Sequence, residues 1–261
     1  MTDFHDRLFR FSPIYLEEMG SVKLMNRTDS KYLLHIDQLG AVLDAAVTDF
    51  KTLEIKGQRI MGYESLYFDT PDHSMYILHH NQKLNRYKVR IRQYLDSKEF
   101  FLEVKFKNNK GRTTKKRISV SGNDAIHEPA SLEFIERLSP YSPSVIEPKL
   151  NTKFERITLV NAVKKERITI DINPTFHNNK ANIKIPYLVI VEVKHEINSE
   201  EDGFGQLLRE QRIFKKRISK YCLGTNLLYP EKKHNRFKPK ILYLKKLDKS
   251  KHYDQLYNAL I

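Results

Sequence analysis

The sequence has almost none of the features that would lock a chain covalently or anchor it in a membrane. Its single cysteine, Cys222, excludes internal disulfides and any cysteine-cluster zinc site, and is typical of a reducing compartment. No apolar run approaches the roughly 20 residues that a membrane helix needs; the longest, residues 187–191, ends at Glu192. Because residues 1–11 also lack the apolar centre of a secretory signal, we expect a cytoplasmic protein with no membrane segment.

Recognisable catalytic pairs are equally scarce. No stretch indicates a Ser–His or His–carboxylate pair, and the adjacent His79 and His80 would point about 100° apart on a helix, which disfavours a shared metal ion. Internal repeats and low-complexity linkers are absent as well. Strand-like segments follow one another from residue 27 to residue 195. We therefore expect one domain over residues 1–261, with its core at 20–228 and a basic C-terminal extension at 231–261.

What the sequence does have is positive charge. It carries 46 Lys and Arg against 32 Asp and Glu, a formal net charge of +14. Such an excess suggests a polyanionic partner: nucleic acid, a phosphorylated small molecule, polyphosphate or an anionic membrane. The hydrophobic content of 40% is sufficient to build a core, so global disorder is not expected.

The charge is concentrated in residues 85–94, NRYKVRIRQY. Because side chains alternate between the two faces of a strand, one face of this segment is apolar. The apolar set is Tyr87, Val89 and Ile91. The opposite face carries four cations in a row: Arg86, Lys88, Arg90 and Arg92. We expect the apolar face to pack on a core and the cationic face to meet water or an anion.

The same division recurs in at least five segments. Residues 100–107 and 115–120, separated by turn residues, predict a hairpin. Its charged faces carry Lys105 and Lys107 on one strand and Lys115 and Arg117 on the other. Two architectures explain the bias equally well: a barrel with a charged lumen and helices on its apolar outside, or a sheet with a solvated basic face for nucleic acid.

Three acids are interspersed with these cations. Asp29, Glu103 and Glu192 each precede a lysine by two residues, which places acid and lysine on one strand face. A carboxylate in such a setting is either a salt-bridge partner or an oxygen ligand for Mg²⁺ or Mn²⁺. The spacing leaves both readings open.

A series of stretches in fixed order carries a family resemblance. They are RTDSKYLL (27–34), SLYFDT (65–70), NRYKVRIRQY (85–94), FLEVKFKNNKGRTTKKR (101–117), KFERI (153–157), RITID (167–171), VIVEVK (189–194) and ISKYCLG (218–224). Together they resemble the VTC domain, the polyphosphate polymerase catalytic domain of the CYTH or triphosphate tunnel metalloenzyme superfamily. The resemblance implies an α+β fold: an antiparallel closed β-barrel, a tunnel of about eight strands with a basic lumen and helices packed outside. It also implies transfer of the γ-phosphate of ATP to a growing polyphosphate chain, with Mn²⁺ or Mg²⁺.

The resemblance also assigns roles by position. The residues that it identifies as catalytic or phosphate-binding are Lys31, Arg90, Arg92, Lys105, Arg117, Arg156, Ser219 and Lys220, with Glu192 as the metal carboxylate. The alternating charge pattern adds Lys88, Lys115 and Lys194 as phosphate ligands and Glu103 as a second metal ligand. One departure is clear: RTDSK (27–31) stands where the superfamily has Glu-x-Glu-x-Lys, and fewer acids argue against two-metal hydrolysis.

Two other functions remain open. The same fold could hydrolyse tripolyphosphate or a nucleoside triphosphate, with Glu103 orienting the water, or it could bind polyphosphate or nucleic acid without catalysis. Nucleic acid is not expected, because aromatic residues do not interleave with the cations on one face, as base stacking requires. The expected partners are therefore ATP and inorganic polyphosphate, with a possible further partner at the basic C-terminal tail.

Overall fold

A computed structural model of the chain describes residues 2–22, 27–196 and 203–248. These residues form two compact units. Unit 1 comprises Met1–Met61, Phe154–Pro174 and Ile185–Ile218, and unit 2 comprises Gly62–Lys153, Thr175–Lys184 and Ser219–Ile261. Both units draw on separate stretches of the chain, so neither is a contiguous sequence domain, and the single domain expected from the sequence stays a prediction.

The architecture is α+β, built on one large, predominantly antiparallel sheet. Its strands are β1 (Ser12–Ile14), β2 (Arg27–His35), β3 (Lys51–Leu53), β4 (Met61–Asp69), β5 (Arg86–Tyr94), β6 (Glu99–Lys107), β7 (Thr113–Val120), β8 (Glu147–Asn161), β9 (Glu166–His177), β10 (Asn182–Lys184) and β11 (Leu188–Glu196). The main path runs β2–β11–β9–β8–β4–β5–β6–β7, with β1, β3 and β10 beside it.

The main path contains eight strands, as the sequence resemblance implied, but the sheet is not closed by hydrogen bonds. The path begins at β2 and ends at β7, and within the described residues no hydrogen-bonded register joins these two strands. The structure therefore shows a large antiparallel sheet, and the closed barrel stays a prediction.

The helices of the described residues are short. They are α1 (Thr2–Phe9), α2 (Ile36–Ala46), α3 (Ser74–His80), α4 (Pro129–Leu138), α5 (Phe204–Glu210), α6 (Lys220–Leu228) and α7 (Lys238–Leu247). Helix α7 belongs to the C-terminal extension, of which residues 249–261 lie outside the described part. None of the described helices combines the length and the apolar character that crossing a bilayer requires.

The core of unit 1 forms where the apolar faces of three strands meet two helices. Tyr32 and Leu34 of β2, Val191 of β11 and Ile170 of β9 are all buried there. Helices α2 and α5 cover this face with Leu39, Val42, Leu43, Phe204 and Leu208. Side-chain alternation then turns the charged residues of the same strands to the opposite face.

Unit 2 repeats this arrangement with its own core. Val89 and Ile91 of β5 are fully buried against Leu102 and Val104 of β6. Helices α3 and α4 contribute Met75, Phe134 and Ile135. The apolar face predicted for residues 85–94 is confirmed, and the packing fixes which face of β5 carries the cations.

Candidate functional site

The charged face of unit 2 is organised in rows across β5, β6 and β7. One row pairs Lys88 with Lys105 and Lys105 with Lys115, and the next pairs Arg90 with Glu103 and Glu103 with Arg117. We call the six cations Lys88, Arg90, Arg92, Lys105, Lys115 and Arg117 the β5–β7 cationic face. The predicted hairpin joins β6 to β7, and the pairing of β5 with β6 adds a third strand, so residues 27 positions apart in sequence, such as Lys88 and Lys115, lie in the same row.

Glu103 is the one acid in the centre of these rows. Its side chain is 1% exposed, and its two oxygens are shared between neighbouring strands. Arg90 donates from Nε and Nη2 to Oε2 at 2.7 and 2.5 Å, and Lys115 Nζ donates to Oε1 at 2.9 Å. Burial alone would raise the pKa of Glu103, but the positive charges of Arg90, Arg92 and Lys115 hold that pKa well below its usual range. Glu103 is therefore ionised near neutral pH, and its carboxylate holds Arg90 and Lys115 in place.

Arg90 is held from its other side by Tyr67 of β4. Arg90 Nη1 donates to the phenol oxygen at 2.9 Å, and Arg90 and Tyr67 are directly opposite in the β4–β5 register. Burial raises the pKa of Tyr67, but the charges of Arg90, Arg92 and Lys88 outweigh it and lower this pKa to about 8. Tyr67 thus contributes an ionisable group to the cationic face.

A buried carboxylate supports Tyr67 from behind. The Tyr67 ring stacks on Tyr221 of α6 with ring centroids 5.1 Å apart, and the Tyr221 hydroxyl donates to Asp69. Asp69 is fully buried and also accepts the N–H groups of Met75 and Tyr76 at 2.9 Å each, which caps the N-terminal end of α3. The residues behind the cationic face are therefore rigidly placed.

Arg92 and Arg117 lie at the more open part of the same face. Arg92 Nε is 3.2 Å from Ser65 Oγ, and its guanidinium carbon is 5.7 Å from the centre of the Tyr63 ring. Arg117 lies over the Phe101 ring at 4.4 Å and is exposed. Cation–π contacts of this kind help to hold both guanidinium groups on the cationic face.

The predicted Ser219–Lys220 pair begins helix α6. Ser219 is the N-cap, and its Oγ accepts the Cys222 N–H at 3.4 Å. Lys88 Nζ donates to the same oxygen at 2.9 Å. The structure thus brings Lys88 and Ser219 together at the N-terminal end of α6, which carries the positive end of the helix dipole. Lys220 is the first residue of that helix.

Unit 1 carries a smaller charged cluster around Glu192, on the side of the sheet opposite its core. Lys31 and Thr169 are the cross-strand partners of Glu192. Glu192 contacts Lys194 Nζ at 3.0 Å and Lys31 Nζ at 3.6 Å. Burial would raise the pKa of Glu192, but Lys31 and Lys194 hold it well below the usual value. We call Lys31, Arg156, Arg167, Thr169, Asp171, Glu192 and Lys194 the Glu192 cluster.

Arg156 belongs to this cluster. The family resemblance implied that Arg156 faces the charged side of the sheet, whereas strand alternation alone did not establish its direction. Its Nε and Nη2 donate to the two oxygens of Asp171 at 2.6 and 2.9 Å, while its chain neighbour Ile157 lies in the core. Arg167 is opposite Lys194 in the β9–β11 register and was not selected from the sequence. The alternation of Arg167, Thr169 and Asp171 along β9 was the signal that could have identified Arg167 as a candidate site residue.

The structure shows how all three of the acids singled out in the sequence are paired. Glu192 is paired with the lysine two residues on, but Glu103 is paired across strands with Arg90 and Lys115, and Arg27 Nε binds Asp29 at 3.0 Å. In the part of the chain that the structure describes, no group of three or more His, Cys, Asp or Glu side chains is placed to hold a metal ion.

One family model matches this chain, and several solved structures are similar to it. The family model described as the VTC domain matches residues 26–229, which confirms the resemblance found in the sequence. Among solved structures, PH1819 from Pyrococcus horikoshii OT3 is 14% identical with a TM-score of 0.43, over 75% of this chain and 97% of that one. A candidate adenylate cyclase from Bacillus halodurans is 13% identical with a TM-score of 0.46, over 75% and 96%. A candidate adenylyl cyclase from Hippeastrum, described as revealing a dominant triphosphatase activity, is 14% identical with a TM-score of 0.46, over 77% and 95%. No curated protein matches the sequence significantly.

Proposed function

Because the chain belongs to the VTC domain family, we propose that it is a phosphotransferase that moves the γ-phosphate of ATP onto a growing inorganic polyphosphate chain. The observation that carries this proposal is the β5–β7 cationic face, in which six cations from three adjacent strands surround one buried carboxylate. The closed tunnel that the family resemblance implies stays a prediction.

The cationic face suits a chain of phosphates better than a single anion. Two like charges 4 Å apart cost about 1 kcal/mol in water and about 4 at an effective dielectric constant of 20, so the row Lys88–Lys105–Lys115 destabilises the protein without a ligand. When a polyphosphate chain binds, its negative charges turn this unfavourable electrostatic energy into a favourable one. Guanidinium forks and ammonium groups both match phosphate oxygens.

Transfer between phosphates needs no general base. The terminal phosphate of the acceptor is already ionised near neutral pH, so catalysis reduces to positioning and charge neutralisation. In our proposal Arg90, Arg92 and Arg117 hold the donor triphosphate and stabilise charge on the transferred group. Arg156, in the Glu192 cluster of unit 1, stays a predicted phosphate ligand. Lys220, at the start of α6, positions the acceptor.

Glu192 is the side chain of this chain that fits a divalent metal. It is 22% exposed, and its cross-strand partner Thr169 has a buried hydroxyl with no hydrogen-bond partner among the described residues. Mg²⁺ is commonly bound by one or two carboxylates while substrate phosphates supply further ligands, so the small number of acids is no obstacle. When bound, the metal would neutralise charge on a phosphate group held at the Glu192 cluster.

Glu103 stays a predicted metal ligand, but its contacts favour a positioning role. Its side chain is 1% exposed, against 22% for Glu192. Its contacts with Arg90 and Lys115, at 2.5–2.9 Å, are also shorter than those of Glu192 with Lys194 and Lys31, at 3.0 and 3.6 Å. The same contacts count against the hydrolytic alternative, since a carboxylate that orients water needs a lone pair that faces the substrate. We therefore propose that Glu103 fixes Arg90 and Lys115 for phosphate binding.

Product analysis tests the proposal. We expect the purified protein, incubated with ATP and Mn²⁺, to give a ladder of long chains on a gel stained for polyphosphate. Glu192→Gln should abolish the ladder, whereas Glu196→Gln, at a half-buried residue of the same strand that is paired with Lys165, should leave it intact. Release of free phosphate without chains would overturn the polymerase in favour of a triphosphatase; the absence of both products would contradict catalysis with ATP.

Tyr67 makes phosphate binding depend on pH. Its pKa lies at about 8, so the phenol is neutral at pH 7 and negatively charged at pH 9, where it offsets the charge of Arg90. We expect tripolyphosphate to bind more weakly at pH 9 than at pH 7, and we expect Tyr67→Phe to reduce that loss by roughly fivefold, the worth of about 1 kcal/mol. Titration calorimetry of both proteins at the two pH values isolates Tyr67, because ionisation of the ligand is common to both. An equal loss in the two proteins would refute the assignment.

A further inference from the structure

Asp69 is a wholly buried carboxylate at the end of β4, within unit 2. It accepts the backbone N–H groups of three residues at 2.8–2.9 Å: Thr70, Met75 and Tyr76. The hydroxyl of Tyr221 also donates to it. A buried charge is costly unless hydrogen bonds compensate it. Three of these donors come from the backbone just after Asp69, whereas Tyr221 lies 152 residues further along the chain, so it ties a distant segment to β4.

That distant segment is the first turn of α6, to which Tyr221 belongs. The Tyr221 ring stacks on Tyr67 of β4, with ring centroids 5.1 Å apart and ring planes 24° apart. The Tyr67 hydroxyl in turn accepts from Arg90 Nη1 at 2.9 Å. One side chain of α6 therefore contacts both the buried carboxylate of β4 and the residue that binds Arg90.

The rest of α6 is fixed by close packing inside unit 2. Every residue from Tyr221 to Leu228 is buried. At Gly224 a β-carbon would lie 2.7 Å from the Phe176 ring and 2.9 Å from the Leu150 side chain, so the helix approaches these two residues closely because this position has no side chain. The later turns of α6 are held by this packing, and the contacts of Tyr221 hold the turn at which the helix begins.

The two stacked phenols have opposite electrostatic surroundings. Burial raises the pKa of both, but at Tyr67 the neighbouring cations outweigh it and lower the pKa to about 8. At Tyr221 the charge of Asp69 acts in the same direction as burial, so its pKa lies well above the ordinary value. Tyr221 therefore stays a neutral hydrogen-bond donor to Asp69 near neutral pH.

The first turn of α6 also carries the residue that positions the acceptor in the proposed function. Ser219 is the N-cap, Lys220 is the first helical residue, and Tyr221 follows directly. In the same proposal Arg90 holds the donor triphosphate. Tyr221 is thus the chain neighbour of the acceptor lysine and is in contact with Tyr67, the partner of the donor arginine.

We propose that Tyr221 is a positioning residue for phosphoryl transfer. Its hydroxyl on Asp69 and its ring on Tyr67 hold the first turn of α6 against β4, which fixes Lys220 relative to Arg90. Reacting atoms must come within about 3–3.5 Å, and a misplacement of about 1 Å can cost on the order of a hundredfold in rate. The placement of this turn therefore governs kcat and not the affinity for ATP. This inference rests on the proposed function for its reaction.

Steady-state kinetics of two phenylalanine variants tests the role of Tyr221. Tyr221→Phe keeps the stacked ring and removes only the hydroxyl, so we expect kcat for polyphosphate synthesis to fall about tenfold with the KM for ATP within about twofold of wild type. Tyr229→Phe is the matched control. Tyr229 is the C-cap of the same helix, and its hydroxyl donates to the Lys149 carbonyl at 2.6 Å. This variant loses the same kind of hydrogen bond at the other end of α6 and should keep kcat within about twofold.

Amide hydrogen exchange tests the positioning without catalysis. The Leu223 N–H donates to the Ser219 carbonyl at 2.8 Å, so its exchange rate reports on opening of the first turn of α6. We expect this N–H to exchange about tenfold faster in Tyr221→Phe and at the wild-type rate in Tyr229→Phe. Thermal unfolding of both variants sets a temperature at which each is folded.

The outcomes separate this inference from the function on which it rests. An unchanged kcat in Tyr221→Phe, an equal loss in Tyr229→Phe, or a rise in KM as large as the fall in kcat would overturn the positioning role even if the wild-type protein makes polyphosphate. Unchanged exchange at Leu223 would overturn it whatever the activity. Faster exchange confined to Tyr221→Phe, in a protein that makes no polyphosphate, would support the placement of α6 by Tyr221 and reject the polymerase.

Discussion

Replacing Arg92 by alanine should lower the kcat/KM for phosphoryl transfer by about a thousandfold, the lower range for an arginine that stabilises a transferring phosphoryl group. Arg92 is a cleaner test than Arg90, because removal of Arg90 would also leave the buried Glu103 without one of its cations. Arg92 contacts the neutral Ser65 hydroxyl and the Tyr63 ring. Its loss therefore leaves the ion pairs of Glu103 with Arg90 and Lys115 in place.

Lys116→Ala is the matched control for Arg92→Ala. Lys116 lies on β7 between Lys115 and Arg117, is exposed, and is paired with the core residue Val104 in the register. Alternation turns it away from the cationic face, so the variant loses the same charge without touching the site. We expect activity within twofold of wild type. Equal losses in the two variants would mean that net charge, and not the face, governs activity.

Replacing Glu103 by glutamine should lower the free energy of unfolding by about 3 kcal/mol, the lower range for removing one partner of a buried ion pair. The physical reason is that Arg90 and Lys115 keep their charges but lose the carboxylate that both contact at 2.5–2.9 Å. Urea unfolding measures the change. Glu99→Gln, on the same strand but exposed, should change the stability by less than about 0.5 kcal/mol.

Ligand addition distinguishes a positioning role of Glu103 from a metal-binding role. Tripolyphosphate replaces the missing negative charge, so it should restore much of the stability lost in Glu103→Gln; a ligand at one hundred times its Kd adds about 2.7 kcal/mol. Mn²⁺ binding should survive in Glu103→Gln and be lost in Glu192→Gln. The reverse pattern, with Mn²⁺ binding lost in Glu103→Gln, would show that Glu103 is the metal ligand.

The composition of each strand face could be predicted from the sequence, because it depends on local alternation. The segment 85–94 showed which side of β5 is apolar, and the structure buries Val89 and Ile91 as expected. The packing of α2 through Leu39, Val42 and Leu43 follows from helical spacing in the same way. Hydrophobic periodicity is readable from one segment at a time.

The partners of the charged residues could not be predicted, because they depend on register between strands. Lys105 is the same-face neighbour of Glu103 in sequence, yet Glu103 binds Arg90 and Lys115 from the two flanking strands. The contribution of Tyr67 was missed for the same reason, since only the pairing of β4 with β5 places it beside Arg90.

At the start of α2 the structure departs from residue preferences. The residue preferences favour Asp37 as the N-cap of α2, but His35 fills that position. Its Nδ1 accepts the Asp37 N–H at 3.2 Å, while its own N–H donates to Gln38 Oε1 at 3.0 Å. A histidine at the end of β2 can cap the helix that follows because the strand brings its ring over the first turn.

Comparison of two polyanions by titration calorimetry tests the central claim that the β5–β7 cationic face binds a phosphate chain. We expect tripolyphosphate to bind the wild-type protein more tightly than a single-stranded RNA oligonucleotide of equal charge, to lose affinity in Arg92→Ala and to keep it in Lys116→Ala. Tighter binding of the RNA, increasing with its length and insensitive to Arg92→Ala, would contradict the account and indicate a nucleic-acid-binding surface.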